Sequence, residues 1–401
     1  MSTVVIACDA FKGSLSAEQV THALSAGFDL ARRGITARVF PIGDGGEGTL
    51  EAFLRAGFTE MSTTAAGPTG ELLATRFAHK GDIAFVELAE VCGILRLPGG
   101  HFAPLDASSY GFGQVIRTAL DHGFRTVILG VGGSASTDGG AGMALALGAQ
   151  IRDAAGQPIG GGGGELSRAR QLDISNLHPG VVDAEFIIAS DVQNPLLGPS
   201  GATAIYSAQK GATPRDQAEL ETGMGVWADL VEEKFDARGL RETLGAGAAG
   251  GVGFGALSFL GARVESGASL VLDLLKFDAL LADCDLVVTG EGALDQQTLE
   301  GKAVHGVAAV ARELHVPVVA VCGVNSLSSS ELGQLGVADV FSLSDREPNV
   351  ERSKANAYGL LVEVGQYIAE KFFPNNASLG RSKNRHEKRR VPDPSIRNSP
   401  L

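Results

Sequence analysis

The chain has 401 residues, 44% of them apolar, and a formal charge of −13. That length suits two or three domains with sizeable cores, and the acidity argues against a nucleic-acid partner, which needs Lys and Arg gathered on one face. No apolar run reaches the length of a membrane span, and Val4-Val5-Ile6-Ala7 is too short for the apolar segment of a signal peptide. Cys8, Cys92, Cys284 and Cys322 are scattered without metal-ligand spacing, so buried free thiols in a reducing, cytoplasmic setting are expected. The 55 glycines are about twice the usual share of roughly 7%. They sit in short runs beside carboxylates and hydroxyls, which marks turns where backbone approaches a ligand.

Residues 4–8 read as a short buried strand, followed by a helix over 17–33 that Ser16 and Gln19 open as a capping box. A second strand at 38–42 and a helix at 50–55 come next. Residues 75–77 and 83–88 read as a hairpin turning at Gly81-Asp82. A helix at 114–122, a strand at 126–130, a helix at 141–148, a strand at 186–189 and a long helix at 216–233 follow. The C-terminal part reads as strand 285–289, helix 303–314, strands 316–322 and 340–343, and a closing helix over 353–371. Strands alternating with helices indicate parallel sheet. The expected fold is therefore α/β with two domains. A flavodoxin-like parallel-sheet domain, residues 1–75 and 281–374, is split by a large inserted α/β domain at 76–280. Residues 375–401 carry a basic cluster at 381–390, several prolines and few apolar side chains, and are expected to be a disordered basic tail.

The turns after the strands hold the chemistry. In open α/β sheets ligands bind beyond the carboxyl ends of strands, where helix N-termini favour anions. Lys12 and Ser14 follow the first strand and are placed to meet a phosphate or carboxylate. Asp44 and Glu47, spaced by glycines after the second strand, suit a metal or a hydroxyl. Residues 132–140, with Gly133, Ser134, Thr137 and Asp138, resemble a nest of amides for an anion. Asp191 closes another strand, ahead of Asn194 and Pro195, a good place for a general base or a Mg²⁺ ligand. Glu291, Gln297 and Lys302 lie in the loop after the strand at 285–289. Lys302 is only superficially a Walker lysine, since Gln296 stands at the first glycine of that motif and Ala303 replaces its Ser/Thr. Residues 245–250 match a dinucleotide glycine pattern weakly, because no convincing strand precedes them.

Taken together, Phe11–Ser16, residues 44–49, Ser108-Ser109-Tyr110-Gly111, residues 132–142, Asp191 with Asn194-Pro195-Leu196, Gln209-Lys210-Gly211-Ala212, residues 245–253 and 289–302 resemble the bacterial glycerate kinase family that yields 2-phosphoglycerate. The ordered set covers about residues 3–373. The resemblance implies ATP and Mg²⁺ acting on D-glycerate, and the split flavodoxin-like domain. Phosphoryl transfer needs positioning and charge neutralisation. For it, Asp191 is expected to orient or deprotonate the glycerate hydroxyl, Asp44, Glu47 and Glu291 to hold Mg²⁺ directly or through water, and Lys12 and Lys302 to offset charge on the phosphates or the glycerate carboxylate. Gln193 stands where the family often has an aspartate and Ala293 where it often has an arginine. Phe112 and Gln114 replace a smaller residue and a glutamate. The alternatives are a glycerate 3-kinase, a kinase of another small hydroxy acid, or an organic-acid sensor. No nucleic-acid or membrane partner is expected, and a homodimer is left open.

Overall fold

The computed structural model describes residues 2–11, 13–43, 46, 48–299 and 301–374. Among them thirteen strands run in chain order. These are β1 (Ser2–Cys8), β2 (Ile35–Val39), β3 (Thr59–Ala66), β4 (Leu72–Lys80), β5 (Ile83–Glu87), β6 (Thr126–Gly130) and β7 (Gln150–Arg152). They continue as β8 (Gln171–Asp173), β9 (Glu185–Ala189), β10 (Arg263–Glu265), β11 (Leu286–Leu294), β12 (Val318–Asn325) and β13 (Val337–Ser342).

The first sheet has the order β13-β12-β11-β1-β2 and is parallel throughout. Counted in chain order from the β2 edge, this is second, first, third, fourth, fifth, the flavodoxin arrangement. Its interior strands are apolar on both faces, as a sheet covered on both sides requires. Val5 and Ala7 of β1 face a core with the helix Ala303–Glu313, whereas Val4, Ile6 and Cys8 face the helices Ala17–Leu30 and Ala357–Phe372. The capping box is present in full: the Gln19 amide donates to Ser16 Oγ, and the Ser16 amide donates to Gln19 Oε1.

The chain leaves this sheet after β2 and returns at β11. Between lies the second sheet, ordered β10-β9-β6-β5-β4-β3. Strands β5, β6, β9 and β10 are parallel, and β4 and β3 add an antiparallel edge. The sequence reading left residues 59–74 with the first domain. The pairing of β3 with β4 along its whole length puts them in the second sheet instead. The helix Gly267–Leu274, absent from the sequence reading, joins the two layers: Ala268 and Leu272 enter the first core, and Val271 enters the apolar layer beneath Phe85, Ile128 and Ile187. Cys8, Cys92 and Cys322 are buried free thiols as expected, and Cys284 is half-buried. No helix among the described residues is long and apolar enough to cross a membrane. The expected tail, residues 375–401, lies outside the described residues.

Candidate active site between the two sheets

Strand order alone puts a crevice at the carboxyl ends of β1 and β11, where successive connections leave in opposite directions. Cys8 pairs with Gly290, so Asp9 and Glu291 emerge side by side there. A cavity of about 270 Å³ opens at this point. Asp9, Glu291 and Lys302 cluster in its lining at the strand ends, and Phe11, Leu343, Glu347 and Lys354 are also among its lining residues. Glu291 is buried, with Oε1 accepting from Thr298 Oγ1 at 2.6 Å and Oε2 lying 3.8 Å from Lys302 Nζ. Lys302 is also 4.0 Å from Asp295. Ser14 lines the cavity too, its hydroxyl donating to the Lys354 carbonyl at 2.9 Å. Gln297 is exposed and stays outside the lining. Lys12, Asp44 and Glu47 lie outside the described residues.

Gly46 and Gly48, which belong to the stretch after β2, have close partners in the second sheet. A Cβ added to Gly132, beyond β6, would come within 2.4 Å of the Gly46 Cα, so the two backbones touch. Glu87, buried at the end of β5, accepts from the amides of Gly48 at 3.0 Å and Leu50 at 2.7 Å. A carboxylate there satisfies free amides at the start of the helix Thr49–Arg55 and complements its dipole. Gly46 and the start of the helix Thr49–Arg55 are thus held against the carboxyl ends of β6 and β5.

Loop 132–140 follows β6. Gly133 is exposed with φ of +72°. Ser134, Thr137 and Asp138 are buried. Asp138 accepts from the Ser109 amide at 2.7 Å, Ser109 Oγ at 2.8 Å, and the amides of Gly140 at 3.2 Å and Gly142 at 3.3 Å. Burial pushes its carboxyl up, and those hydrogen bonds pull it back down. Asp138, expected among the binding residues, takes all of these hydrogen bonds from within its own chain. Lys210, for which no task is expected from the sequence, is buried against the same loop. Its Nζ donates to Ser134 Oγ at 2.7 Å and to the Ser136 carbonyl at 2.5 Å.

Asp191 follows β9, the neighbour of β6. Its Oδ1 accepts from the Gly267 amide at 3.2 Å, and Ser266 Oγ next to that glycine donates to the Gly301 carbonyl at 3.2 Å. Asp191 therefore sits on the seam that leads to Lys302. Asn194 staples its own turn: Nδ2 donates to the Ser200 carbonyl, and Oδ1 accepts from the Tyr206 hydroxyl. Of the family departures, Gln193 is exposed and Ala293 is exposed at the cavity. Phe112 is core, and Gln114 accepts from the Ala66 amide at 2.8 Å. Residues 245–247 precede the helix Ala248–Phe259, whose residues 249–251 are left-handed, and no strand precedes them. They form a loop-to-helix junction, as read from the sequence.

Residues 4–372 match the glycerate kinase family. A glycerate kinase of Halalkalibacterium halodurans is 38% identical over 372 residues, covering 92% of this chain and 98% of that protein. A glycerate 2-kinase of Escherichia coli K12 is 38% identical over 369 residues, 91% of this chain and 97% of its own. A crystal structure described as glycerate kinase 2 of Salmonella typhimurium LT2 superposes with a TM-score of 0.73 at 36% identity, covering 92% of this chain and 98% of the other. Sequence, strand order and the position of the cleft agree: the chain belongs to the glycerate kinase family.

Proposed function

We propose that this enzyme transfers the γ-phosphoryl group of ATP to the 2-hydroxyl of D-glycerate. The observation that supports it best is the cavity at the switch point of a parallel sheet, with Asp9, Glu291 and Lys302 clustered in its lining. A nucleotide whose base packs against Phe11 and Leu343 would direct its phosphates to that cluster. Phosphoryl transfer needs positioning and charge neutralisation more than covalent chemistry. Asp191 takes the hydroxyl proton of glycerate as its oxygen bonds to the γ-phosphorus, the β–γ bridging bond breaks, and ADP leaves. Lys302 neutralises charge on the phosphates, with Lys12 as a second cation.

Mg²⁺ characteristically takes one or two carboxylates and completes its shell with phosphate oxygens and water. Asp9 and Glu291 in the lining of the cavity fit that demand, and with Asp44 and Glu47 they are the residues that would hold the ion. When bound, it supplies neutralisation of the β- and γ-phosphate charge. Among the described residues no three His, Cys, Asp or Glu side chains gather into a dedicated cage.

The test is ADP release on mixing ATP, Mg²⁺ and D-glycerate, with phosphorus NMR of the product. A 2-phosphoglycerate resonance is expected; 3-phosphoglycerate would refute the regiochemistry, and no turnover would refute the kinase. Asp191→Asn should lower kcat by at least about 100-fold while the melting temperature stays near that of the wild type. Near-normal kcat would remove Asp191 from the reaction.

A further inference from the structure

Lys210 is 3% exposed. Lysine is almost never so buried without an ionic partner, because removing an ammonium from water is expensive. Among the described residues Lys210 makes no ion pair within 4 Å; its two acceptors, Ser134 Oγ and the Ser136 carbonyl, are neutral. The carboxylate that faces it, Asp138, acts on it only at longer range and is engaged by Ser109, Gly140 and Gly142. Two further hydroxyls of the same loop, Ser136 Oγ and Thr137 Oγ1, are buried without a hydrogen-bond partner. The main chain closes over the ammonium at Gly250, where an added Cβ would meet Lys210 Nζ at 3.0 Å and the Ser136 carbonyl at 2.2 Å. The front of the loop differs. Gly133 is exposed, and the loop is clamped at its edges by Ile94 N to Gly133 O and Ala135 N to Cys92 O, both 2.9 Å. A buried lysine stands beneath a loop whose Gly133 is exposed just beyond the carboxyl end of β6.

A purely structural role explains this poorly, since an apolar side chain of similar volume fills such a site at lower cost. The geometry points to Lys210 as the positioning residue that makes loop 132–137 the receptor for the carboxylate of the acid substrate. This rests on the glycerate kinase reading and deepens it. The loop belongs to the sheet opposite the cavity with Lys302 and Lys354, so the anion it meets is the acceptor's and not the nucleotide's. Gly130 of β6 is in register with Ala189 of β9, so the loop and Asp191 leave neighbouring strands spaced by about 4.8 Å. A three-carbon hydroxy acid spans that gap, carboxylate toward the loop and hydroxyl toward Asp191.

The experiment compares wild type with Lys210→Met for D-glycerate and for its neutral amide, glyceramide, at saturating ATP. Lys210→Met should raise KM for glycerate about 10- to 100-fold, leave KM for ATP within about twofold, and reduce the preference for glycerate over glyceramide by the same factor. A misfolded or loosened protein would instead lower kcat for both acceptors and disturb ATP. Unchanged glycerate KM and preference in Lys210→Met overturn the inference while leaving the kinase assignment standing. A wild type inert toward glycerate overturns the kinase assignment itself, and this inference with it. Should Lys210→Met fail to fold, the Ser136→Ala/Thr137→Ala double variant replaces it. It removes only the two hydroxyls, and an unchanged glycerate KM there is equally decisive against the proposal.

Discussion

Replacing Asp138 tests whether it braces loop 132–140 or touches the substrate. In Asp138→Ala, the amides of Ser109, Gly140 and Gly142 and the Ser109 hydroxyl lose their acceptor. An unsatisfied buried donor costs about 1–3 kcal/mol, and removal of a buried charge returns part of that sum, so a net loss of about 3–5 kcal/mol is expected. Asp138→Asn is gentler. With its oxygen turned to Ser109, its amino group meets only the Gly140 amide, so one charge-assisted bond is lost, partly offset by burying a neutral group. The expected loss is about 1–2 kcal/mol. Urea unfolding followed by circular dichroism reads both. With a slope near 3 kcal/mol/M the alanine variant should move the midpoint by about 1 M or more. Both variants should also raise KM for glycerate, in proportion to their loss of stability. An alanine variant within about 0.5 kcal/mol of wild type would refute the bracing role. Abolished turnover at wild-type stability in Asp138→Asn would make Asp138 a ligand group instead.

Gly132→Ala should push the loop after β2 away from β6, because its new methyl would lie 2.4 Å from the Gly46 Cα and neither backbone can yield freely. We expect kcat/KM to fall about 10- to 100-fold with a modest stability loss of about 1–3 kcal/mol; unaltered kinetics would show that the contact is incidental. Stability should also depend on Lys210. Burial pushes its ammonium down to about 7, opposed by Asp138, from about 10.4 in an unfolded chain. Between those values the unfolded state binds the proton that the unliganded folded state releases, so this group makes stability rise with pH through that window, and a carboxylate bound at the loop would favour keeping the ammonium charged. Thermal melts at pH 7 and 9 should show a larger upward shift for wild type than for Lys210→Met; identical shifts would contradict the buried position.

Much of the fold was legible because buried parallel strands write themselves as apolar runs. Val4–Cys8, Thr126–Gly130 and the hairpin of β4 and β5 needed no tertiary information beyond period and turn residues. Strand β3 was not legible. Its sequence Thr59-Glu60-Met61-Ser62-Thr63-Thr64 lies on an edge and is largely exposed, so the apolar signal is missing and only pairing with β4 defines it. That missing strand moved the expected boundary. The helix Gly267–Leu274 was missed for the reverse reason: it is apolar on two sides because it serves two cores.

By itself the sequence determined the chemistry on offer, carboxylates and glycines at strand ends, since those residue types follow each apolar run and local physics places them in turns. The tertiary structure decided which of them meet. Asp9 and Glu291 are about 280 positions apart and meet only because β1 pairs with β11. Asp138 is expected among the anion-binding residues of its loop and Lys210 carries no expected role, and only packing shows that both are removed from water beside the same loop. Burial and long-range pairing are properties of the whole chain's packing, and no local stretch carries them.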